Sequence, residues 1–191
     1  MTSSTLVEAS KFLSYVLRHE PQAIGLTLDS EGWGSLDAVI AGATQQGRSL
    51  SRELIEQVVA TSDKRRFELS ADGQRIRAVQ GHSTRSVDRA FEPRQPPDVL
   101  FHGTAAQFMD AIRQEGLKPG SRHHVHLSAD EQTARAVGQR YGSPVVLRLD
   151  AKGMHAQGFV FHQAENGVWL TDRVPPSFLE ERVPATRQHQ T

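Results

Sequence analysis

The sequence predicts an α+β protein made of two units joined by a linker. Residues 10–61 carry three segments with helical spacing of apolar residues, and residues 64–79 follow as two strands around a turn. Residues 84–98 are polar, contain three prolines and show no period, which is typical of a connection between domains. We therefore expect an N-terminal unit over 1–88, a linker over 89–98, a second unit over 99–182 and a flexible tail over 183–191.

The N-terminal unit is expected to begin with a helix over residues 10–19, which Pro21 ends. The elements expected after it are a strand at 26–28, a turn at 29–32, helices at 36–42 and 51–61, and strands at 64–69 and 74–79. Ser51 is the predicted N-cap of the last of these helices. Helices followed by a small hairpin are the outline of a winged-helix module, a fold often used on nucleic acid.

The second unit is expected to begin with a buried strand at 99–101, with His102, Gly103 and Thr104 in the turn directly after it. An amphipathic helix over 107–115 should turn Phe108 inward and end at a Gly116 cap. The remaining elements expected here are a strand at 122–128, a helix from about residue 130 to 141, and strands at 145–149, 159–161 and 168–170.

Composition narrows the possible chemistry. The 191 residues include no cysteine, so disulfides, thiolate nucleophiles and cysteine-type zinc sites are excluded, and a cytoplasmic location is expected. Neither a signal peptide nor an apolar run of about 18 residues is found, and nothing in the sequence demands more than a monomer. The formal net charge is +0. An anion site must therefore be a local cluster of arginines on a neutral body.

The most unusual stretch is Ser-Arg-His-His-Val-His-Leu-Ser at residues 121–128. Side chains alternate between the two faces of a strand. If Val125 and Leu127 point into a core, His124 and His126 point together out of the opposite face. Arg122 lies just ahead of them. The pattern predicts a strand that binds an anionic ligand.

Two further basic features lie far away in sequence. Arg18 and His19 fall in the last turn of the first helix, and Arg65 and Arg66 begin a strand. Because a guanidinium binds phosphate through two parallel hydrogen bonds, convergence of these groups with Arg122 would make a pocket for a phosphate monoester. Spacing alone leaves the structural alternatives open, namely a helix cap and a solvated strand end.

Two shorter motifs are weaker candidates. Glycine in His102-Gly103-Thr104 allows close approach to the backbone, and the imidazole and hydroxyl could bind a ribose or an amide, although strand-end turns often look alike. A small polar run after the hairpin could bind phosphate through backbone N–H groups or simply form a loop. Its members are Gln80, Gly81, His82 and Ser83.

Other site classes find no support. The histidine cluster contains no acidic residue and matches no H-E-x-x-H or His/Cys pattern, so no metal is expected. The sequence also lacks the G-x-S-x-G elbow of serine hydrolases. Neither a G-x-G-x-x-G loop nor a Walker loop is found.

Taken together, the motifs resemble the RNA 2′-phosphotransferase (Tpt/KptA) family over roughly residues 8–180. They are LRHEP at 17–21, GW at 32–33, KRRFEL at 64–69, RAVQGHS at 77–83, FHGT at 101–104, RHHVHLS at 122–128 and NGVWL at 166–170. The resemblance implies an N-terminal winged-helix-like RNA-binding lobe and a C-terminal ADP-ribosyltransferase-like mixed-sheet lobe that binds NAD.

The resemblance also implies a reaction, of the kind used in tRNA splicing and RNA repair. An internal RNA 2′-phosphate attacks the NAD ribose carbon that carries nicotinamide, giving a 2′-phospho-ADP-ribosylated RNA. The ribose 2″-hydroxyl then attacks that phosphate. The products are 2′-OH RNA, ADP-ribose 1″,2″-cyclic phosphate and nicotinamide, so NAD is consumed as a co-substrate and no metal is needed.

Site residues follow from the same resemblance. The implied catalytic set is Arg18, His19, Arg66 and Arg122, with Arg66 preferred over Arg65 because it directly precedes the aromatic Phe67. The implied NAD-binding residues are His102, Gly103, Thr104, His126, Ser128 and Val168. Residues 80–83 are implied to touch the RNA backbone.

Two alternatives remain open at this point. The first keeps the fold but transfers ADP-ribose to a terminal phosphate of RNA or DNA and stops after one step. The second is a winged-helix regulator that senses NAD without consuming it, which would need a basic recognition helix. The predicted helix over 51–61 argues against a regulator, since it carries Glu53, Glu56 and Gln57 against one arginine.

Overall fold

The computed structural model describes residues 3–62 and 65–182, so the predicted tail at 183–191 lies outside the described residues. The chain divides into two compact units. The first consists of the chain up to Phe91 together with Ser121–His123 and Ala164–Asn166. The second consists of Glu92–Gly120, His124–Gln163 and the chain from Gly167 onward. The histidine-rich stretch is therefore divided, with Arg122 in the first unit and His126 in the second.

The first unit combines three helices with a small antiparallel sheet. The helices are α1 (Ser3–Arg18), α2 (Leu36–Gln45) and α3 (Arg52–Thr61), and the strands are β1 (Gly34–Ser35), β2 (Phe67–Leu69) and β3 (Arg75–Ala78). The strand order is β1-β3-β2. The hydroxyl of Ser51 accepts from the Leu54 N–H and caps α3, as predicted.

The core of this unit forms where the helices meet the sheet. Leu13, Val16 and Leu17 of α1 are fully buried with Ile55 of α3 and Ile76 of β3. The strand predicted at 26–28 is wrong, because that segment has no strand partner. Leu26 and Leu28 of this segment are nevertheless buried in the core. Gly34 leaves room for them, because an added Cβ at that position would lie 2.9–3.1 Å from their side chains.

The second unit contains two antiparallel sheets and three helices. Its strands are β4 (Val99–Ala105), β5 (Val125–Leu127), β6 (Pro144–Asp150), β7 (His162–Gln163), β8 (Trp169–Thr171) and β9 (Leu179–Arg182). Its helices are α4 (Met109–Glu115), α5 (Glu131–Gly138) and α6 (Ala151–Ala156). The sheets have the orders β4-β6-β9 and β5-β8-β7, and their apolar faces share one core. Small antiparallel sheets with helices in both units confirm the α+β class.

Three local predictions for this unit are corrected. Residues 102–104 lie within β4, paired with β6, and not in a turn after a strand. Phe108 is 44% exposed because it precedes α4 in a 3₁₀ turn, so its ring meets Tyr141 at the surface instead of the core. The strand predicted at 159–161 is displaced: the residues that pair with β8 are His162 and Gln163 of β7, and Phe161 is a buried residue just before that strand.

Helix α6 and strand β9 were not expected from the sequence. Helix α6 has only six residues, too short for a recognisable period, and is capped by Asp150. Strand β9 has the burial pattern of an exposed edge and carries three charged side chains. Within the described residues, no helix has the length and apolar character needed to span a membrane.

Candidate functional site

The candidate site of the first unit is built on the C-terminal end of α1. A helix leaves its last carbonyl groups without partners inside the helix. Here the carbonyl of Arg18 accepts hydrogen bonds from the backbone N–H groups of Ser83 (2.9 Å) and Thr84 (3.3 Å). The loop after the hairpin therefore fastens the end of α1 and fixes where the side chains of Arg18 and His19 begin.

Arg18 is the central cation of this region. Its pKa is lowered to about 10, mainly by burial and also by the neighbouring charges of Arg122 and Arg66. Its Nε and Nη2 atoms are buried and have no hydrogen-bond partner within the described part of the chain. Its guanidinium carbon lies 5.9 Å from the ring centre of Phe67. Buried donors without an acceptor, close to two more guanidinium groups, favour an anionic ligand.

His19 is held beside these arginines. Its Nδ1 atom lies 2.8 Å from the hydroxyl oxygen of Ser83. Burial lowers the pKa of the imidazole, and the charges of Arg18 and Arg122 lower it too, against a smaller opposing effect of Glu20. A lowered pKa favours the neutral ring, which donates from one nitrogen and accepts at the other.

Two adjacent arginines differ in their surroundings. The backbone of Arg66 continues into the sheet, because its carbonyl accepts from Val79 N–H at 3.0 Å, and the residue is partly buried. Arg65 is exposed and has a left-handed φ of 40°. Of the two, only Arg66 contributes to the lowered pKa of Arg18.

The loop predicted to touch RNA has a buried centre. Gly81 has a φ of 91°, a conformation that favours glycine. His82 is only 5% exposed, and an added Cβ on Gly32 would lie 3.0 Å from its Nε2 atom. Burial, followed by the charges of Arg18 and Arg89, lowers the pKa of His82 to about 3. Gln80 also directs a buried side-chain oxygen inward, without a partner among the described residues.

The second unit has a candidate site of its own, where β4 meets the end of β5. Phe101 and Ser128 exchange two backbone hydrogen bonds of 2.8 Å, which places His102 beside β5. The Nδ1 atom of His102 lies 2.9 Å from the carbonyl oxygen of His126. A carbonyl only accepts, so Nδ1 carries the proton and Nε2 of a neutral His102 is an acceptor.

Gly103 and Thr104 are buried against α5. A Cβ at Gly103 would lie 1.6 Å from the carbonyl oxygen of Ala134, and one at Gly138 would lie 2.4 Å from the Thr104 carbonyl. Thr104 is 6% exposed. The glycine thus allows a helix, rather than a ligand, to approach the strand, which is a physical reason that the sequence alone did not reveal.

The chain matches the family described as "RNA 2'-phosphotransferase, Tpt1 / KptA family" over residues 4–173. It belongs to that family. A protein of Pseudomonas fluorescens named "Probable RNA 2'-phosphotransferase" is 66% identical over 180 residues, covering 94% of this chain and 99% of its own. Proteins with the same printed name from Pseudomonas aeruginosa and Escherichia coli (strain S88) are 64% and 57% identical, covering 95% and 92% of this chain and 100% and 90% of their own. The family expected from the motifs is confirmed.

One histidine of this RNA 2′-phosphotransferase family member was missed in the sequence. His162 on β7 and His126 on β5 both pair with Leu170 on β8, so the three residues form one row on one face of the sheet. His124 meets His162 edge to face at 5.9 Å between ring centres. Val168 lies directly before β8. The register of β7 was the missing signal, since the strand was expected at 159–161.

A second missed feature lies in the first unit. Arg89 is 4% exposed at its side chain and donates to Glu165 through Nη2 at 2.5 Å. Arg77 lies 3.4 Å from the same carboxylate and 4.4 Å from the ring centre of Trp33. Arg89 and Glu165 are 76 positions apart, so no local pattern in the sequence joins them.

Proposed function

We propose that this protein is an NAD-dependent RNA 2′-phosphotransferase that removes an internal RNA 2′-phosphate in two steps. In the first, a phosphate oxygen forms a bond to C1″ of the NAD ribose, and the bond to nicotinamide breaks. In the second, the 2″-oxygen forms a bond to phosphorus and the RNA 2′-oxygen leaves with a proton. The products are 2′-OH RNA, ADP-ribose 1″,2″-cyclic phosphate and nicotinamide.

The observation that carries this proposal is the buried guanidinium of Arg18. Its Nε and Nη2 atoms lack a partner among the described residues, and the charges of Arg122 and Arg66 act on it. A phosphate dianion would satisfy those donors and offset the mutual repulsion of the three cations. Arg18, Arg66 and Arg122 are therefore assigned to the RNA 2′-phosphate.

In the first step these residues need not transfer a proton. The phosphate is already ionised and needs no general base to act as nucleophile. Arginines that hold it in line with the ribose carbon supply mainly orientation. In the second step charge gathers on the phosphorus-bound oxygens, where the same guanidinium groups stabilise it. His19, neutral and able to donate, handles a proton or adds a hydrogen bond to the phosphate.

The second unit is proposed to bind NAD. The carbonyl of His126 leaves Nε2 of His102 as an acceptor, which suits a ribose hydroxyl. His126 is assigned to the nicotinamide end, with Ser128 and Val168 beside it. Gly103 and Thr104 are buried in β4, so their contribution is assigned to the backbone and to the position of His102.

These assignments extend the predicted domain roles. The winged-helix-like RNA-binding lobe is assigned to residues 1–88 and the ADP-ribosyltransferase-like lobe to residues 99–182. The neutral net charge of the chain leaves the local arginine cluster as the main attraction for RNA phosphate.

The test uses an oligoribonucleotide with one internal 2′-phosphate, incubated with the enzyme with and without NAD. We expect dephosphorylated RNA and cyclic phosphate in equal amounts, only with NAD. Dephosphorylation without NAD, or none at all, would overturn the proposal. A second oligonucleotide with a terminal phosphate tests the alternative acceptor, since a stable ADP-ribosylated end without cyclic phosphate indicates a one-step transferase.

Arg122→Ala tests the phosphate clamp. Loss of one charge-stabilising donor should lower turnover by about 10²–10³-fold. NAD binding, measured by calorimetry, should stay at the wild-type level because Arg122 belongs to the first unit. Near-normal turnover in Arg122→Ala would overturn the assignment of Arg122 to the phosphate.

A further inference from the structure

We infer that the loop over residues 81–84 is the device that positions the Arg18–His19 pair, and that Ser83 is a positioning residue that keeps His19 in its Nε2–H tautomer. The catalytic consequence of this inference rests on the proposed function, whereas the tautomer requires only that an anion such as phosphate binds beside His19. The loop was expected to touch the RNA backbone, whereas the role inferred for it here is to position Arg18 and His19.

Ser83 is tied to the end of α1 at two points. Its backbone N–H donates to the carbonyl of Arg18 at 2.9 Å, and its hydroxyl oxygen lies 2.8 Å from Nδ1 of His19. The Thr84 N–H adds a third hydrogen bond, to the same Arg18 carbonyl at 3.3 Å. A residue 64 positions away along the chain therefore fixes both the backbone of Arg18 and the ring plane of His19.

The loop is itself held in place by a residue buried in the interior of the first unit. The left-handed φ of 91° at Gly81 turns the chain so that His82 enters the interior. His82 is 5% exposed, and Gly32 leaves the space that its Nε2 atom occupies. With Gly81 as the turn and His82 as a buried anchor, Ser83 has little freedom to move away from His19.

The hydroxyl of Ser83 can donate or accept, so the ring's surroundings decide the tautomer. Two cations, Arg18 and Arg122, act on His19, and they disfavour a second proton on the ring. A bound phosphate accepts hydrogen bonds and does not donate them. The arrangement that satisfies every group has the Ser83 hydroxyl donating to Nδ1 and the Nε2–H of His19 donating to the phosphate.

A hydroxyl at position 83 should be sufficient to hold His19, so a conservative substitution there should preserve the tautomer. Ser83→Ala removes the hydroxyl but keeps the backbone N–H that binds Arg18. Ser83→Thr keeps a hydroxyl at the same position. Ser86→Ala is the matched control, because Ser86 is an exposed serine of the same segment and its hydroxyl contacts that of Thr84 at 3.1 Å.

The direct experiment is ring-nitrogen NMR of ¹⁵N-histidine-labelled full-length protein saturated with inorganic phosphate, with the His19 signals assigned by comparison with His19→Gln. In the wild type, Ser83→Thr and Ser86→Ala we expect a protonated Nε2 and an unprotonated Nδ1. In Ser83→Ala we expect both nitrogens to shift toward the averaged positions of a tautomer mixture. A protonated Nδ1 in the wild type, or identical spectra for the wild type and Ser83→Ala, would overturn the inference.

The kinetic experiment separates positioning from RNA binding. Under the proposed function, Ser83→Ala should lower kcat by about tenfold or more through misplacement of His19, with the KM for 2′-phosphorylated RNA little changed. A rise in KM at constant kcat would instead make Ser83 an RNA contact and overturn the positioning role. If the wild type fails to release cyclic phosphate, the proposed function fails, while the NMR result still decides the tautomer.

Discussion

Arg89 donates through both terminal nitrogens of its guanidinium to the two carboxylate oxygens of Glu165, at 2.5 and 3.4 Å. The side chain of Arg89 is 4% exposed, and it also donates to the carbonyl of Val79. Burial alone would raise the pKa of Glu165, but the hydrogen bonds and charges of Arg89 and Arg77 outweigh it and lower that pKa. The pair therefore secures the segment Ala164–Asn166 within the first unit.

Removing the charge of Glu165 should destabilise the first unit. Glu165→Gln leaves Arg89 buried without its main counter-charge. We expect a loss of about 2 kcal/mol, the value for a hydrogen bond to a charged group, because the partly exposed Glu165 does not make this a fully buried pair. The measurement is urea unfolding followed by Trp33 fluorescence in a Trp169→Phe background, since the chain has two tryptophans. Asp37→Asn is the control within the same unit, because the Asp37 carboxylate is 77% exposed in its ion pair with Arg52 and the pair should contribute less than about 1 kcal/mol. Equal losses in the two variants would contradict a structural role for the Arg89 pair.

Gly103→Ala should prevent normal packing of the second unit. The added Cβ would lie 1.6 Å from a backbone oxygen of α5, so the helix must move away from β4. We expect little folded protein, or a loss of stability above about 4 kcal/mol, the range typical of severe core defects. The control is Gly158→Ala, which meets nothing within 4 Å and bears only the cost of its φ of 88°, about 1 kcal/mol. A soluble Gly103→Ala protein with an unchanged melting temperature would show that α5 does not need this approach.

His82 should make the first unit sensitive to acid. Its pKa is about 3 in the folded protein and about 6.5 in an unfolded chain, so the unfolded state binds the extra proton as the pH falls below 6.5. Stability is then unaffected above pH 6.5 and decreases toward pH 3. Between pH 7 and pH 5 this histidine should account for about 2 kcal/mol, a value set mainly by its unfolded pKa.

The test of this acid sensitivity is the pH dependence of His82→Gln. Whatever its stability at pH 7, the variant should lose about 2 kcal/mol less than the wild type on going to pH 5. His155→Gln serves as the control. Because His155 is exposed, this variant should lose as much stability between pH 7 and pH 5 as the wild type does. Parallel pH curves for the wild type and His82→Gln would rule out His82 as the buried titrating group.

The sequence predicted this fold best where local signals were strong. Ser51 capped its helix as expected because the cap and the apolar period coincide within a few residues. Strand bounds were less predictable, because a segment becomes a strand only where a partner strand is available. Residues 26–28 have no such partner, whereas β7 pairs with β8, and neither fact can be read from the local sequence. The α+β class and the family were therefore accessible from motifs, whereas the register of His162 was not.

The candidate site divides in the same way. Residue types predicted an arginine cluster, and the charges of Arg66 and Arg122 do act on Arg18, where they help to lower its pKa. The partners that hold these groups were hidden, since Ser83 reaches His19 across 64 positions and Glu165 reaches Arg89 across 76. Long-range contacts of this kind depend on tertiary packing, which a single sequence does not display.

Arg66 and Arg65 give a neighbouring pair for the last prediction. The charge of Arg66 acts on Arg18, whereas Arg65 is exposed and does not contribute to that pKa. Arg66→Ala should therefore lower turnover of 2′-phosphorylated RNA by about 10²-fold, as expected for loss of a preorganised phosphate donor. Arg65→Ala keeps a Cβ at the same left-handed φ, so its backbone strain is unchanged and its activity should stay within about threefold of the wild type. The two variants are compared at saturating NAD by release of cyclic phosphate. A larger loss in Arg65→Ala than in Arg66→Ala would exchange the roles of the two arginines and leave Arg66 as a residue beside β2 that only lowers the pKa of Arg18.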